Sequence, residues 1–174
     1  MVRAAGPTHF ERTFSVIAAV ELALSRAREE KAERLMGLAC LSALYDRAAT
    51  NLALVSERGL AKALEEKRRK AREEGEALLR RIEWDGDSGR SVLAQLSGRF
   101  AGRSWLLLLL PGGDEVLFRL VERTREKDAW DRVGLVAALL LAPATRERAA
   151  PIVAGLPKRA QIDVMHEVFH AHDH

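Results

Sequence analysis

The stretch Phe10-Glu11-Arg12-Thr13-Phe14-Ser15-Val16-Ile17-Ala18-Ala19-Val20-Glu21-Leu22-Ala23-Leu24 decides the fold class. Phe10, Phe14, Ile17, Val20 and Leu24 recur at intervals of three and four. That spacing lines one face of a helix, because a helix turns once in 3.6 residues. Thr8 with Glu11 three residues on forms a capping-box pattern at its start. The stripe resumes beyond the charged residues 25–34, at Leu35, Leu38, Leu41, Tyr45, Ala48, Leu52 and Val55. The expected arrangement of residues 8–58 is two antiparallel helices packed along these stripes, a long hairpin or coiled coil. One very long helix is the alternative.

The same reading extends along the chain. Gly59 is placed to end the second stripe, since glycine tolerates the left-handed cap conformation. Residues 60–83 are charged, with opposite signs three and four apart, as on an exposed helix. Their apolar members are Leu60, Leu64, Leu78, Leu79 and Ile82, with a gap between. Asp85-Gly86-Asp87-Ser88-Gly89 is the clearest break. It divides the chain into a long-helix region 1–84, a linker 85–90 and a short-helix region 91–174. The break lacks the further ligands and terminal Glu of a calcium loop.

Composition agrees with helices. The 174 residues are 48% apolar but only 5% aromatic, so Leu and Ala must do most of the packing. Both are strong helix formers, and the scarcity of β-branched residues argues against a sheet. The net charge is +3, with acids and bases interleaved. That reads as a solvated surface and argues against nucleic acid as a partner. The exception to weigh is the run Arg68, Arg69, Lys70 and Arg72, which supports a second alternative, a nucleic-acid-associated helical subunit. Cys40 is the single cysteine, so no internal disulfide and no cysteine zinc cage can form. Its apolar neighbours read it as a small core residue. The longest apolar stretch, Val133–Ala144, has about 12 residues against the roughly 20 of a membrane span. With no signal-like start, the expectation is a soluble, cytoplasmic protein.

After the break the stops come often. Ser91 is placed to cap 92–100, and Ser104 to precede a buried helix at 105–110. Pro111-Gly112-Gly113 lacks the Lys-Ser/Thr ending of a phosphate loop, and Asp114-Glu115 in that place would repel phosphate. Asp114 is read as the cap of a helix through Arg125, and Asp128 or Asp131 as the start of one through Leu141. Pro143 is read as its end, and Thr145 as the cap of 146–154. Gly155-Leu156-Pro157 is a stop followed by a start, with a last helix from Lys158 towards His172.

The segments Asp131-Arg132-Val133 through Leu141, Ala149-Ala150-Pro151-Ile152-Val153-Ala154-Gly155-Leu156-Pro157 and Gln161-Ile162-Asp163-Val164-Met165 carry a resemblance. They resemble the armadillo-like helical modules of the flagellar motor switch G protein and of the N-terminal domain of MgtE-type magnesium transporters. The likeness spans roughly residues 131–165. It implies a stack of short helices, armadillo- or HEAT-like, of the kind that binds other proteins. The switch family's Glu-His-Pro-Gln motif and charged rotor-stator domain have no counterpart here.

One motif has chemical character. His166-Glu167-Val168-Phe169-His170 fits His-Glu-x-x-His. Two histidines four apart on a helix face the same way and can share a zinc ion, with the adjacent Glu as general base. His166 and His170 would be the ligands, Glu167 the catalytic base, and His174, four further on, a third ligand on the same stripe. Asp163 lies three residues before the pair. The zinc-peptidase pattern wants its third ligand well downstream, or a Gly-x-x-His extension, and neither follows here. A non-metal reading buries Ile162, Met165, Val168 and Phe169 and leaves the histidines wet.

These observations lead to an all-α chain acting as a non-enzymatic adaptor or scaffold. Its expected partners are proteins, a second copy of itself among them. The alternative is a zinc-dependent hydrolase or metal-binding protein built on His166, Glu167 and His170, with zinc the one cofactor the sequence offers.

Overall fold

The computed structural model describes residues 9–27, 31–54, 57–96, 104–124 and 129–172. Among these residues the protein is all-α, with no strand. The helices are α1 (His9–Arg26), α2 (Lys31–Leu54), α3 (Arg58–Arg81), α4 (Asp87–Leu96), α5 (Gly113–Arg123), α6 (Ala129–Leu141), α7 (Pro143–Ala154) and α8 (Lys158–His172), with a 3-10 segment at Ser104–Leu109. The chain forms two compact units, Met1–Gly75 and Glu76–His174, whose boundary falls inside α3.

In the first unit residues 9–54 form two helices. α1 stops at Arg26, and α2 returns antiparallel against it, so that Leu24 meets Gly37 and Glu21 meets Tyr45. Gly37 sits inside α2 without breaking it. It lets the helices approach closely, because a Cβ there would lie 2.7 Å from Leu24 Cγ. α2 is buried over a wide arc, including Leu35, Leu38, Ala39, Leu41, Tyr45, Ala48, Ala49 and Leu52. A helix apolar over so wide an arc needs neighbours on more than one side. α1 supplies one, where Ile17 is buried and Val20 and Leu24 are half-buried. α3 faces another side, joined to α2 by Arg34–Glu74, Arg68–Asp46 and Lys67 over the Tyr45 ring. Thr8 and Val55 lie outside the described residues.

Two readings of this region change. Gly59 does not end α2. It lies in the first turn of α3, and α2 has already stopped at Leu54. Leu60 is 58% exposed, and the apparent gap in the α3 stripe is filled by the small residues Ala71 and Gly75. Scoring only large side chains hides a face that packs through small ones.

The second unit is organised round α6. Seven consecutive residues, Val133 to Leu139, are buried. α5, α7, α8 and the 3-10 segment all pack on this helix. Leu107, Leu117, Val121, Ala149 and Val164 complete the core. Each fully buried Val or Leu contributes about 1.5–3 kcal/mol. Trp84 folds into the turn after α3, donating its Nε1–H to the Leu79 carbonyl at 3.0 Å.

Several helix starts differ from those the sequence predicts. Asp87–Arg90, within the expected linker, already belongs to α4, and Ser91 is interior rather than a cap. Asp87 in the first turn favours the helix N-terminus and pairs with Arg90. α5 begins at Gly113, with Gly112 at its cap position (φ 78°) and Asp114 in its first turn. Gly113 is required sterically, since a Cβ there would meet the Leu107 carbonyl oxygen at 1.8 Å. Pro143 does not end α6. It opens α7 from the first helical position, where its missing N–H costs nothing. Thr145 is then interior and buried, and its hydroxyl donates to the Leu139 carbonyl at 2.6 Å. Asp128 lies outside the described residues. α8 runs over the expected span. No helix among the described residues is long and apolar enough to cross a membrane.

Candidate functional site

The turn before α8 fixes the presentation of the histidine motif. Leu156 is buried, and Gln161 reaches back from α8 to donate to the Leu156 carbonyl at 2.8 Å. This local bond ties the first turn of α8 to the turn that precedes it. Val164 is fully buried, and Val168 is half-buried. Together they turn one side of α8 inward.

The opposite side is the surprise. Ile162 is 68%, Met165 43% and Phe169 66% exposed. The non-metal reading of the motif buries these residues with Val168, and the structure corrects it, burying Val164 instead. α8 carries apolar residues on two sides, and the motif cannot show which side finds a neighbour. Val164 wins.

His166 and His170 are exposed on the flank of this apolar row. Their rings meet edge to face, with centroids 4.3 Å apart, and their Nε2 atoms are 3.2 Å apart. The contact is a hydrogen bond when one of the two rings carries its proton on Nε2. Two nitrogens on a tetrahedral zinc, at about 2.0–2.1 Å each, stand roughly 3.3–3.4 Å apart. The Nε2 separation is therefore close to that of two nitrogens sharing one ion. Glu167 and Asp163 are half-buried on the same helix. Among the described residues no three His, Cys, Asp or Glu side chains gather into a metal-binding group. His174 lies outside the described residues.

A second feature, in the first unit, had no local sequence signal. Tyr45 donates to Glu21 Oε1 at 2.5 Å, and Lys67 Nζ donates to the same oxygen at 2.8 Å. Glu21 is held below the ordinary carboxylate range by Lys67 and then Tyr45. Burial and the Glu21 charge push the Tyr45 phenol up. The trio lines an open groove of about 350 Å³, floored by Leu24, Leu38 and Leu41. Arg34 and Glu74 pair at its rim. Its cations are matched by carboxylates, which leaves it a packing feature with a polar edge.

Three of the four cations in the basic run of α3 have carboxylate partners, and Arg72, the fourth, is half-buried. Arg68 pairs with Asp46 at 2.6 Å, Arg69 with both Glu66 and Glu73, and Lys70 lies 3.7 Å from Glu66. Cys40 is half-buried, and desolvation pushes its thiol up, away from the thiolate form a nucleophile needs.

The fold and this site define an all-α protein of packed helices with a histidine pair beside an exposed apolar helix face. No protein-family model matches the chain, and neither a curated protein nor a solved structure shows significant similarity to it.

Proposed function

We propose that this chain is a non-enzymatic helical adaptor that works by seating a protein against the outer face of α8. One observation carries the reading: Ile162, Met165 and Phe169 stand exposed within eight residues of a helix whose other side is fully buried at Val164. Clustered exposed apolar side chains mark interaction surfaces, whereas scattered ones do not. The stack of short helices around α6, and the resemblance of 131–165 to the switch-protein and transporter modules, support the same class. So does Gln161, which locks the turn that orients α8. The reading puts the protein in the cytoplasm, in keeping with a single unpaired cysteine.

A photo-crosslinking residue at position 169, introduced in the native cell, tests this. The expected result is a discrete protein adduct that Ile162→Glu removes while leaving the helical signal intact. Failure to form any protein adduct at saturating expression would sink the reading.

A further inference from the structure

We infer that His166 and His170 hold a zinc ion shared between two copies of this chain, with the outer faces of α8 packed around it. The proposal rests on the reading of that face as a docking surface and names its occupant.

A zinc site of nitrogen ligands is tetrahedral. The histidine pair supplies two positions at the required spacing, its Nε2 atoms 3.2 Å apart. The pair fills two of four positions, and among the described residues no third donor joins it. A second copy brings an identical pair. Two pairs related by a two-fold axis through the ion complete four nitrogens, and such an interface uses the same patch on both copies.

The surroundings of the pair fit that symmetry. At 100° per residue, Met165, Phe169, Ile162, His166 and His170 fall within about 140° of the α8 circumference. Bringing two histidine pairs to one ion therefore brings two apolar rows together. Those rows alone fall short of the roughly 800 Å² per partner that a stable interface needs. The metal supplies what the apolar row lacks, so association depends on zinc. Binding needs both rings neutral with the lone pair on Nε2. Each ring then carries its proton on Nδ1, and both rings are open to water for proton exchange.

The test uses the full chain without a polyhistidine tag, in size-exclusion with light scattering, with EDTA and with zinc sulfate. In EDTA the mass should be that of the 19.3 kDa chain. Zinc should double it, and metal analysis of the peak should give one zinc per two chains. His166→Ala and His170→Ala should each abolish the doubling with circular dichroism unchanged, and Phe169→Glu should weaken it at least tenfold in zinc concentration. One zinc per chain at monomer mass overturns the proposal. So does a doubling that survives both histidine substitutions, or a dimer already present in EDTA. A protein adduct at position 169 without zinc-dependent doubling removes this inference and keeps the adaptor reading. Loss of both results removes both.

Discussion

Tyr45 on α2 donates a 2.5 Å hydrogen bond to Glu21 on α1, and Lys67 on α3 donates to the same oxygen. Three helices of the first unit thus meet at one carboxylate. A hydrogen bond to an ionised acceptor is stronger than a neutral one. The bond therefore matters only while Glu21 is charged.

That dependence gives the first prediction. The Glu21 pKa is lower in the folded chain than its ordinary 4.5. A depressed carboxylate stabilises the folded state above the ordinary value and loses that effect as pH falls through the folded value. Glu21 is 39% exposed, so screening limits the effect to about 1 kcal/mol. Urea unfolding of wild type and Glu21→Gln should show wild type ahead at pH 7, with the gap closing as pH falls from 4.5 towards 3. A gap that persists at pH 3 would refute the ionic origin.

Thr145 is the stitch between α6 and α7. It is buried, and its hydroxyl satisfies the Leu139 carbonyl at the end of α6. Thr145→Val keeps the shape and removes the donor. A buried carbonyl left without its partner costs about 1–3 kcal/mol. Denaturant titration should show a loss in that range, whereas Thr145→Ser should recover most of it. Equal losses for Val and Ser would assign the effect to packing instead.

Leucine content alone cannot rank the helices, but burial can. Leu139 is fully buried in the middle of the second unit, and Leu60 is 58% exposed at the start of α3. Leu139→Ala should cost about 2–5 kcal/mol through lost burial and the cavity left behind. Leu60→Ala should stay within about 0.5 kcal/mol. The comparison needs only thermal and urea unfolding of two variants. Similar losses would mean that the α3 stripe packs through Leu60 after all.

Periodicity made part of this molecule legible. The stripe from Leu35 to Leu52 is buried as read, and Gly155-Leu156-Pro157 marked the last helix correctly. What it could not give was direction. Ile162, Met165 and Phe169 share a face by spacing, yet Val164 faces the core, because only the neighbouring helices decide which apolar side is covered. Starts failed for a related reason. Pro143 reads equally as a stop or as a first helical residue, and only the buried Thr145 two residues on distinguishes them. The histidine pair was visible because it is local, at positions four apart. The Tyr45, Glu21 and Lys67 trio was not, because its members are 24 and 46 residues apart.

Nucleic acid should find no site on the basic run of α3. Phosphate binding gains affinity by releasing counterions, and it needs cations without carboxylates beside them. Arg68, Arg69 and Lys70 each have an acidic side chain within 4 Å, from Asp46, Glu66 or Glu73. A phosphate approaching them meets a near-neutral strip. Fluorescence anisotropy with a labelled 20-base-pair duplex and a single strand should therefore show no saturable binding at 150 mM salt. Replacing Glu66 and Glu73 by Gln should create weak binding that falls steeply as salt rises, because it leaves Arg69 and Lys70 without their partners. Tight, salt-sensitive binding by the unaltered chain would overturn this and restore the nucleic-acid reading. No gain from the double substitution would show that the local carboxylates are not what keeps phosphate away.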